Sequence, residues 1–527
     1  MSENNNKGSI SRVERVTRAG LAVAVAAVLA PVSHAGEPIY FDHGGDLQWS
    51  VTASYGIGVR MEDQDDDLIN NNANGDDGNR NFDKHALTSH RLGLLAELIY
   101  TNDNNWGGVL RATTFYDDVY HRSNDNDSPA TVNKPGAHDE FTDGAEYFSG
   151  GRSRFLDAYL FTDLELPNNQ YLSVKAGRHA VSWGEGLFYP GVNGAQGPVD
   201  VVKANTPGTE TKEILLPNGQ VSADWNINPL FGLSAYYQYE WLKNELSPVG
   251  SYFSTTDIIG PRPEGFLLAP GVLADYEGVN NPSDQGQYGV RAMIRPNFDW
   301  EFSVFHINYH DKNPATVTFN DTFSGYKIEY FDDIKLTGAS VSTRIGDTQV
   351  SSEISYRDGA PILLDTRETV RGKGVQAQAS FIHTLGDMPW ARGTVLVGEV
   401  VHVRATDAET AASGSDDYTY DLPGRFQTKS STAYTLQAVL QYPGLVSGWD
   451  VSVPVNFSHV VDGKTPLQGA ISGGEGDRRL SVGTTWKYLG NLELDARYVA
   501  YMGDASIKKN RQLTDRDQFT FAAKYSF

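Results

Sequence analysis

Six histidines, His179, His306, His310, His383, His402 and His459, are the first candidates for chemistry in this sequence of 527 residues. Imidazole acts as a general base or as a metal ligand near neutral pH. A hydrolase would set such a base beside a hydroxyl nucleophile and an orienting carboxylate or amide. Here the histidines stand singly, with no recognisable nucleophile motif, and no catalytic residue is expected. The sequence contains no cysteine, so thiolate nucleophiles, thiolate metal sites and a disulfide framework are excluded. One acidic stretch, EDQDDDLINNNANGDDGNRNFD, sets Asn70, Asn72, Asn74 and Gly75 at the spacing of a calcium loop. Asn81 occupies the place of the bidentate glutamate, so neither a specific metal site nor a cofactor is expected from it.

Charge removes further classes. With 43 Lys and Arg against 66 Asp and Glu, the formal charge is −23, which repels nucleic acid. At the N-terminus, Lys7, Arg12, Arg15 and Arg18 precede an apolar run closing on Ser33, His34 and Ala35. That pattern reads as a secretory signal over 1–35, leaving 36–527 as the exported part. The 27 Tyr and 23 Phe make the chain unusually aromatic, and Gly is abundant at 53, yet no second apolar run is long enough for a membrane helix.

The element that must position every candidate is the β-strand. Leu480, Val482, Thr484, Trp486 and Tyr488 share one face, and Leu492, Leu494, Ala496, Tyr498, Ala500 and Met502 share the next, across the turn Leu489-Gly490-Asn491. This design recurs to give about eighteen strands, each long enough to cross a bilayer when tilted. Among them are runs near 170–182, 231–242 and 348–358. Long polar links alternate with turns of a few residues, the asymmetry of an all-β transmembrane antiparallel barrel in the outer membrane of a Gram-negative bacterium. Trp49, Trp106, Trp225, Trp300, Trp390, Trp449 and Trp486 fall near the short-turn ends, as an aromatic girdle would, whereas Trp183 and Trp241 fall at the far end. Phe519, Phe521, Tyr525 and Phe527 resemble the C-terminal signal that barrel-assembly machinery reads, on a strand that closes against the first. Outer-membrane lipid and lipopolysaccharide would then surround the barrel.

Alternation also sorts the walls. Lys175 and His179 are expected to face the lumen opposite Leu172, Val174 and Ala176. Ser234, Tyr236, Gln238 and Glu240 are expected inside, with Leu233, Ala235, Tyr237, Tyr239 and Trp241 outside. Between these strands runs WGEGLFYPGVNGAQGPVDVVKANTPGTETKEILLPNGQ, which mixes glycine, proline and charge with apolar groups. A link of this length in a folded protein usually has a function. It is expected to fold into the lumen, bringing Trp183, Glu185, Leu187, Phe188 and Tyr189, and Ile214 to Leu216, toward a substrate path. Lys203, Lys212 and Glu213 are the polar groups expected near it, with Lys–Glu pairing holding the segment to the wall.

The runs FYDDVY, GRHAVSWGEGLFY, GAQGPVDVVKA, PGTETKEILLPNGQVS, AYYQYEW and GSYFSTTD resemble the core of a proteobacterial outer-membrane barrel family known by a domain of unknown function. That resemblance spans the exported chain and is densest from Arg152 to Asp257. It implies passage of hydrophobic small molecules of hydrocarbon, fatty acid, terpenoid or steroid type. It also implies an outer-membrane lipoprotein-like partner and an efflux-type inner-membrane transporter. A general or substrate-specific polar porin and a non-transport surface or adhesion protein are the alternatives.

Overall fold

The structure is a computed structural model that describes residues 36–42, 44–364, 369–409 and 428–527; the expected signal over 1–35 lies outside the described residues. Its strands are β1 (Asp46–Arg60), β2 (Leu87–Asn102), β3 (Trp106–Asp117), β4 (Gly151–Leu166), β5 (Gln170–His179) and β6 (Asn218–Asn226). They continue as β7 (Phe231–Gln238), β8 (Gln287–Ile294), β9 (Trp300–Tyr309), β10 (Ile334–Ile345), β11 (Thr348–Leu363) and β12 (Thr369–Leu385). The last six are β13 (Gly393–Ala408), β14 (Ser430–Val446), β15 (Trp449–Asp462), β16 (Arg478–Tyr488), β17 (Leu492–Met502) and β18 (Gln518–Ser526). Each pairs antiparallel with its sequence neighbour, and β18 returns to β1 from Arg60↔Gln518 to Thr52↔Ser526. The eighteen-stranded barrel is therefore closed, with Ile39–Tyr40 added as a short extra strand against Leu47 and Asp46.

Closure sorts side chains by the period of two. On β7, Phe231, Leu233 and Tyr237 are exposed on the outside, while Gly232, Ser234, Tyr236 and Gln238 are buried inside. Leu160, Val290, Val304, Ile354, Leu436 and Phe519 repeat that outward exposure on other strands. A wall that is apolar outside and fully hydrogen-bonded within itself belongs in hydrocarbon, which places the protein in the outer membrane. At the short-turn end, Trp449 lies 5.0 Å from Tyr488 and 6.3 Å from Trp486, and Tyr100 lies 5.5 Å from Trp106, as interfacial rings do.

Three features differ from expectation. β7 stops at Gln238, so alternation does not carry Trp241 outward. Its ring is buried at the rim, with Nε1 donating to the Asp311 carbonyl at 3.2 Å. β11 runs on to Leu363, beyond the expected 358, because Pro361 and Ile362 continue the ladder against β12 past a bulge. The links after β7 and β9 are not simple polar loops. They supply a separate four-stranded sheet, Thr316–Phe319, Gly325–Glu329, Val272–Asn280 and Phe266–Ala269, packed around Ala274, Tyr326 and Ile328.

Deleting Tyr525–Phe527 would remove the last pairs of β18 with β1 and the bond from Phe527 N to Val51 O at 3.0 Å. An open seam in lipid is costly, at about several kcal/mol for each unpaired backbone group. The truncated protein is expected to lose the heat-modifiable band on gels that marks a folded barrel.

Candidate functional site: a segment pinned across the lumen

The link between β5 and β6, residues 180–217, turns into the barrel because inward-facing side chains of the opposite wall accept its backbone donors. On β11, Glu353 accepts from Val192 N at 2.7 Å and from Glu185 N at 2.8 Å. On β13, Glu399 accepts from Leu187 N at 3.2 Å, Phe188 N at 2.5 Å and Tyr189 N at 3.0 Å. Both carboxylates are 3% exposed, so these bonds satisfy charges that would otherwise be stranded. Gly184, at φ +97°, is required here, since a Cβ would stand 2.4 Å from Glu353 Oε2. Donors from the same wall complete the dock: Gln376 reaches Pro190 O at 2.9 Å, Arg357 reaches Gly191 O at 2.9 Å, and Tyr189 Oη meets Thr435 Oγ1 at 3.0 Å.

Packing follows the same route. Trp183 is buried 5.0 Å from the Tyr236 ring. With Val192 and Ala195 it joins a core formed by inward residues of β9 to β15, including Ile307, Leu336, Ile362, Val401 and Val403. Gln238 donates to Gln196 O at 2.6 Å and Lys312 to Ala195 O at 3.0 Å. At the tip, Leu187 remains 46% exposed inside the barrel, while Phe188 and Tyr189 are half-buried.

The second half of the segment is fixed to β3 and β4. Asp200 caps the turn Val201–Ala204 through Lys203 N at 2.9 Å and takes Arg152 at 2.9 Å and Arg154 at 2.6 Å. Glu245 bridges the same two arginines. Lys203 and Glu213 form a buried ion pair, and Thr113 on β3 donates to Glu213 at 2.8 Å. Burial pushes the Lys203 ammonium down to about 7, and Arg91 adds to that, against the opposing pull of Glu213. Burial also raises the Glu213 carboxyl, but Lys203 and its hydrogen bonds outweigh this and hold it below its ordinary value.

Between this half-segment and the inner face of β17 and β18 lies a cavity of about 250 Å³. One side carries Glu493, Asp495, Arg497 and Lys524, with Lys524 paired to Glu493 at 2.6 Å; the other presents Pro207, Ile214 and Phe253.

The expected site residues divide as follows. Trp183, Glu185, Leu187, Phe188, Tyr189, Lys203, Glu213, Tyr236 and Gln238 meet in or beside this dock. His179 is inside, bonded to Ser222 Oγ at 2.7 Å, and Lys175 lies over the Tyr159 ring at 5.9 Å. Both Lys–Glu pairs, Lys203 with Glu213 and Lys212 with Glu210 at 3.2 Å, join residues of the segment to each other, so neither ties it to the wall as expected; Thr113, Arg152 and Arg154 do that. Glu240 is not in the lumen. With β7 ended, it turns to accept from Gly219 N at 2.9 Å and to pair with Arg178, which continues the outward face of Ala176. Sequence reasoning missed Glu353 and Glu399, whose only signal was an acidic residue at an inward position of a strand. The remaining strand histidines mostly face threonines across the ladder, His306 to Thr337, His383 to Thr348 and His402 to Thr432.

Fold and dock together define an outer-membrane β-barrel whose lumen is narrowed by an inserted segment of its own chain. The chain belongs to the family described as "Protein of unknown function (DUF1302)", whose model matches residues 16–527. No curated protein matches the sequence. Similar solved structures include OccAB2 of Acinetobacter baumannii, at 13% identity and TM-score 0.42, covering 91% of this chain and 98% of that one. OpdK of Pseudomonas aeruginosa with vanillate is 9% identical, with TM-score 0.42 and coverage of 93% and 100%. OccK8 (OprE) of Pseudomonas aeruginosa is 8% identical, with TM-score 0.44 and coverage of 91% and 98%.

Replacing Lys203 by Ala leaves Glu213 buried without its cation, a change that costs about 3–5 kcal/mol. The variant is expected to show faster protease cleavage within 199–216, while Lys203→Met combined with Glu213→Leu recovers most of the protection. Glu399→Ala strands three segment N–H groups at about 1–3 kcal/mol each. Noisier and larger single-channel currents are expected from it.

Proposed function

We propose that the protein is a selective outer-membrane channel that passes small hydrophobic molecules of hydrocarbon, fatty acid, terpenoid or steroid type. The observation that carries this reading is the inserted segment itself. It is fastened to two walls of the lumen, yet it leaves Leu187 exposed at its tip and turns Pro207 and Ile214 toward the cavity beside β17 and β18. A route of this kind supplies apolar contact through a polar surface layer, with a few placed polar groups for orientation. The lipoprotein-like partner and the efflux-type inner-membrane transporter belong to the same proposal, as the machinery to which cargo would be handed.

A polar porin is the second reading, favoured by Glu493, Asp495, Arg497 and Lys524 on the other side of the cavity. The two differ in electrical behaviour and in cargo. In planar bilayers the hydrophobic channel is expected to conduct ions poorly, and shortening the segment between Gly191 and Thr211 is expected to raise conductance while uptake of a radiolabelled long-chain hydrocarbon or fatty acid falls. Large steady conductance in the intact protein, with hydrocarbon and fatty acid uptake unchanged by the deletion, would favour the porin.

A further inference from the structure

Outside the barrel, the link between β1 and β2 meets the link between β7 and β8 at a knot of buried acids. Asp76 and Asp257 are fully buried, Asp77 is 2% exposed and Glu264 6% exposed. Carboxylate oxygens of Asp76, Asp77 and Asp257 lie within 4.8 Å of one another. Glu264 follows on the same strand of contacts, its N–H donating to the Asp257 carbonyl at 3.0 Å.

Their partners do not account for their charge. Asp76 uses one oxygen on Arg80 Nε at 2.5 Å and leaves the other without a bond. Asp77 takes Asn126 Nδ2 at 3.2 Å. Neither carboxylate oxygen of Asp257 accepts a well-formed hydrogen bond, and the Glu264 carboxyl, with no N–H or O–H donor, meets that of Asp77. Lys134, the other cation within reach, donates to the Glu140 carbonyl. Four buried acids thus have one guanidinium among them, that of Arg80, so their carboxyls must either hold protons or share a further cation.

We propose that Asp76, Asp77 and Asp257, with Glu264 beside Asp77, bind one calcium ion that clasps these two extracellular links together. Hard carboxylate oxygens select a hard cation, and oxygens that all lie within 4.8 Å of one another are close enough to share one calcium ion at its usual ligand distance of about 2.3–2.6 Å. Magnesium holds its ligands at about 2.0–2.1 Å and keeps several waters, which suits a buried all-carboxylate cage less well. Access exists, because Glu264 also lines an open cavity of about 690 Å³ between the β3–β4 and β7–β8 links. The site ties distant parts of the chain across the barrel mouth, next to contacts such as Asn74 Nδ2 to Leu267 O at 3.0 Å.

The test is made on the full chain folded in detergent, stripped with EDTA and re-equilibrated with about 1 mM calcium chloride, the concentration range of extracellular calcium modules. Wild type is expected to retain one calcium per barrel by elemental analysis, and its cleavage by protease within 61–86 and 239–286 is expected to quicken several-fold in EDTA. Asp257→Asn and Asp77→Asn should lose the ion and show no response to EDTA, with heat-modifiability confirming an intact barrel. Should those variants not fold, Asp76→Asn gives the same reading. Asp63→Asn, at an exposed acid of the same link paired with Lys84, should bind as wild type does. Wild type without bound calcium, or an Asp257→Asn protein that retains it, would overturn the proposal, as would magnesium displacing calcium at equal concentration.

Discussion

Everything in this molecule depends on one constraint, that a backbone crossing hydrocarbon must find all its hydrogen-bond partners within itself. A sheet can do so only by closing, so β18 must meet β1 in register, and the pairing from Thr52↔Ser526 to Arg60↔Gln518 supplies that seam. Closure then dictates the rest. Each strand must present alternate residues to lipid and to the interior, and the interior of eighteen strands is too wide for wall side chains to fill. The space has to be occupied by water or by chain. In this protein a large part of it is occupied by residues 180–217.

Inserting chain into a lumen creates the opposite difficulty, since its backbone leaves water and needs partners again. Those partners are side chains rather than strands. Glu353 collects two N–H donors and Glu399 three, while Gln376 and Arg357 donate to the carbonyls of Pro190 and Gly191. The inward face is therefore not polar merely to contact water. Its charged residues are placed where they replace the hydrogen bonds that the segment gave up, and the apolar inward residues of β9 to β15 take the segment's own Val192 and Ala195.

Most of the barrel was legible in the sequence because alternation, turn length and tryptophan position all follow from the bilayer itself and are written locally. Strand ends were less legible: Trp241 and Glu240 continue the alternating pattern of β7 on paper, yet the ladder stops at Gln238 and both side chains turn to rim partners. The loop sheet around Tyr326 escaped because its strands are four to nine residues long and come from two separate links. Anchors such as Glu399 look like any wall residue until the segment they hold is in place. The acids near Asp76 read as a failed calcium loop for a similar reason. Local spacing put Asn81 where a glutamate belongs, whereas Asp257 and Glu264 arrive from another link altogether.

The arrangement inside the barrel is also lopsided, and the lopsidedness bears on how anything could pass. Toward β9 to β15 the segment is packed against a dry core in which Ile307, Leu336, Ile362, Val401 and Val403 are wholly buried. Close packing of that kind leaves no room for a solute without unfolding the dock. Toward β17 and β18 the contact is loose, and the cavity of about 250 Å³ opens between Ile214 and the inward row Glu493, Asp495, Arg497 and Val499. Loosely packed, partly polar regions open at lower free energy than dry cores. Any route along the lumen is therefore drawn to the closing seam, where one side offers paired charges and the other the apolar edge of the inserted segment.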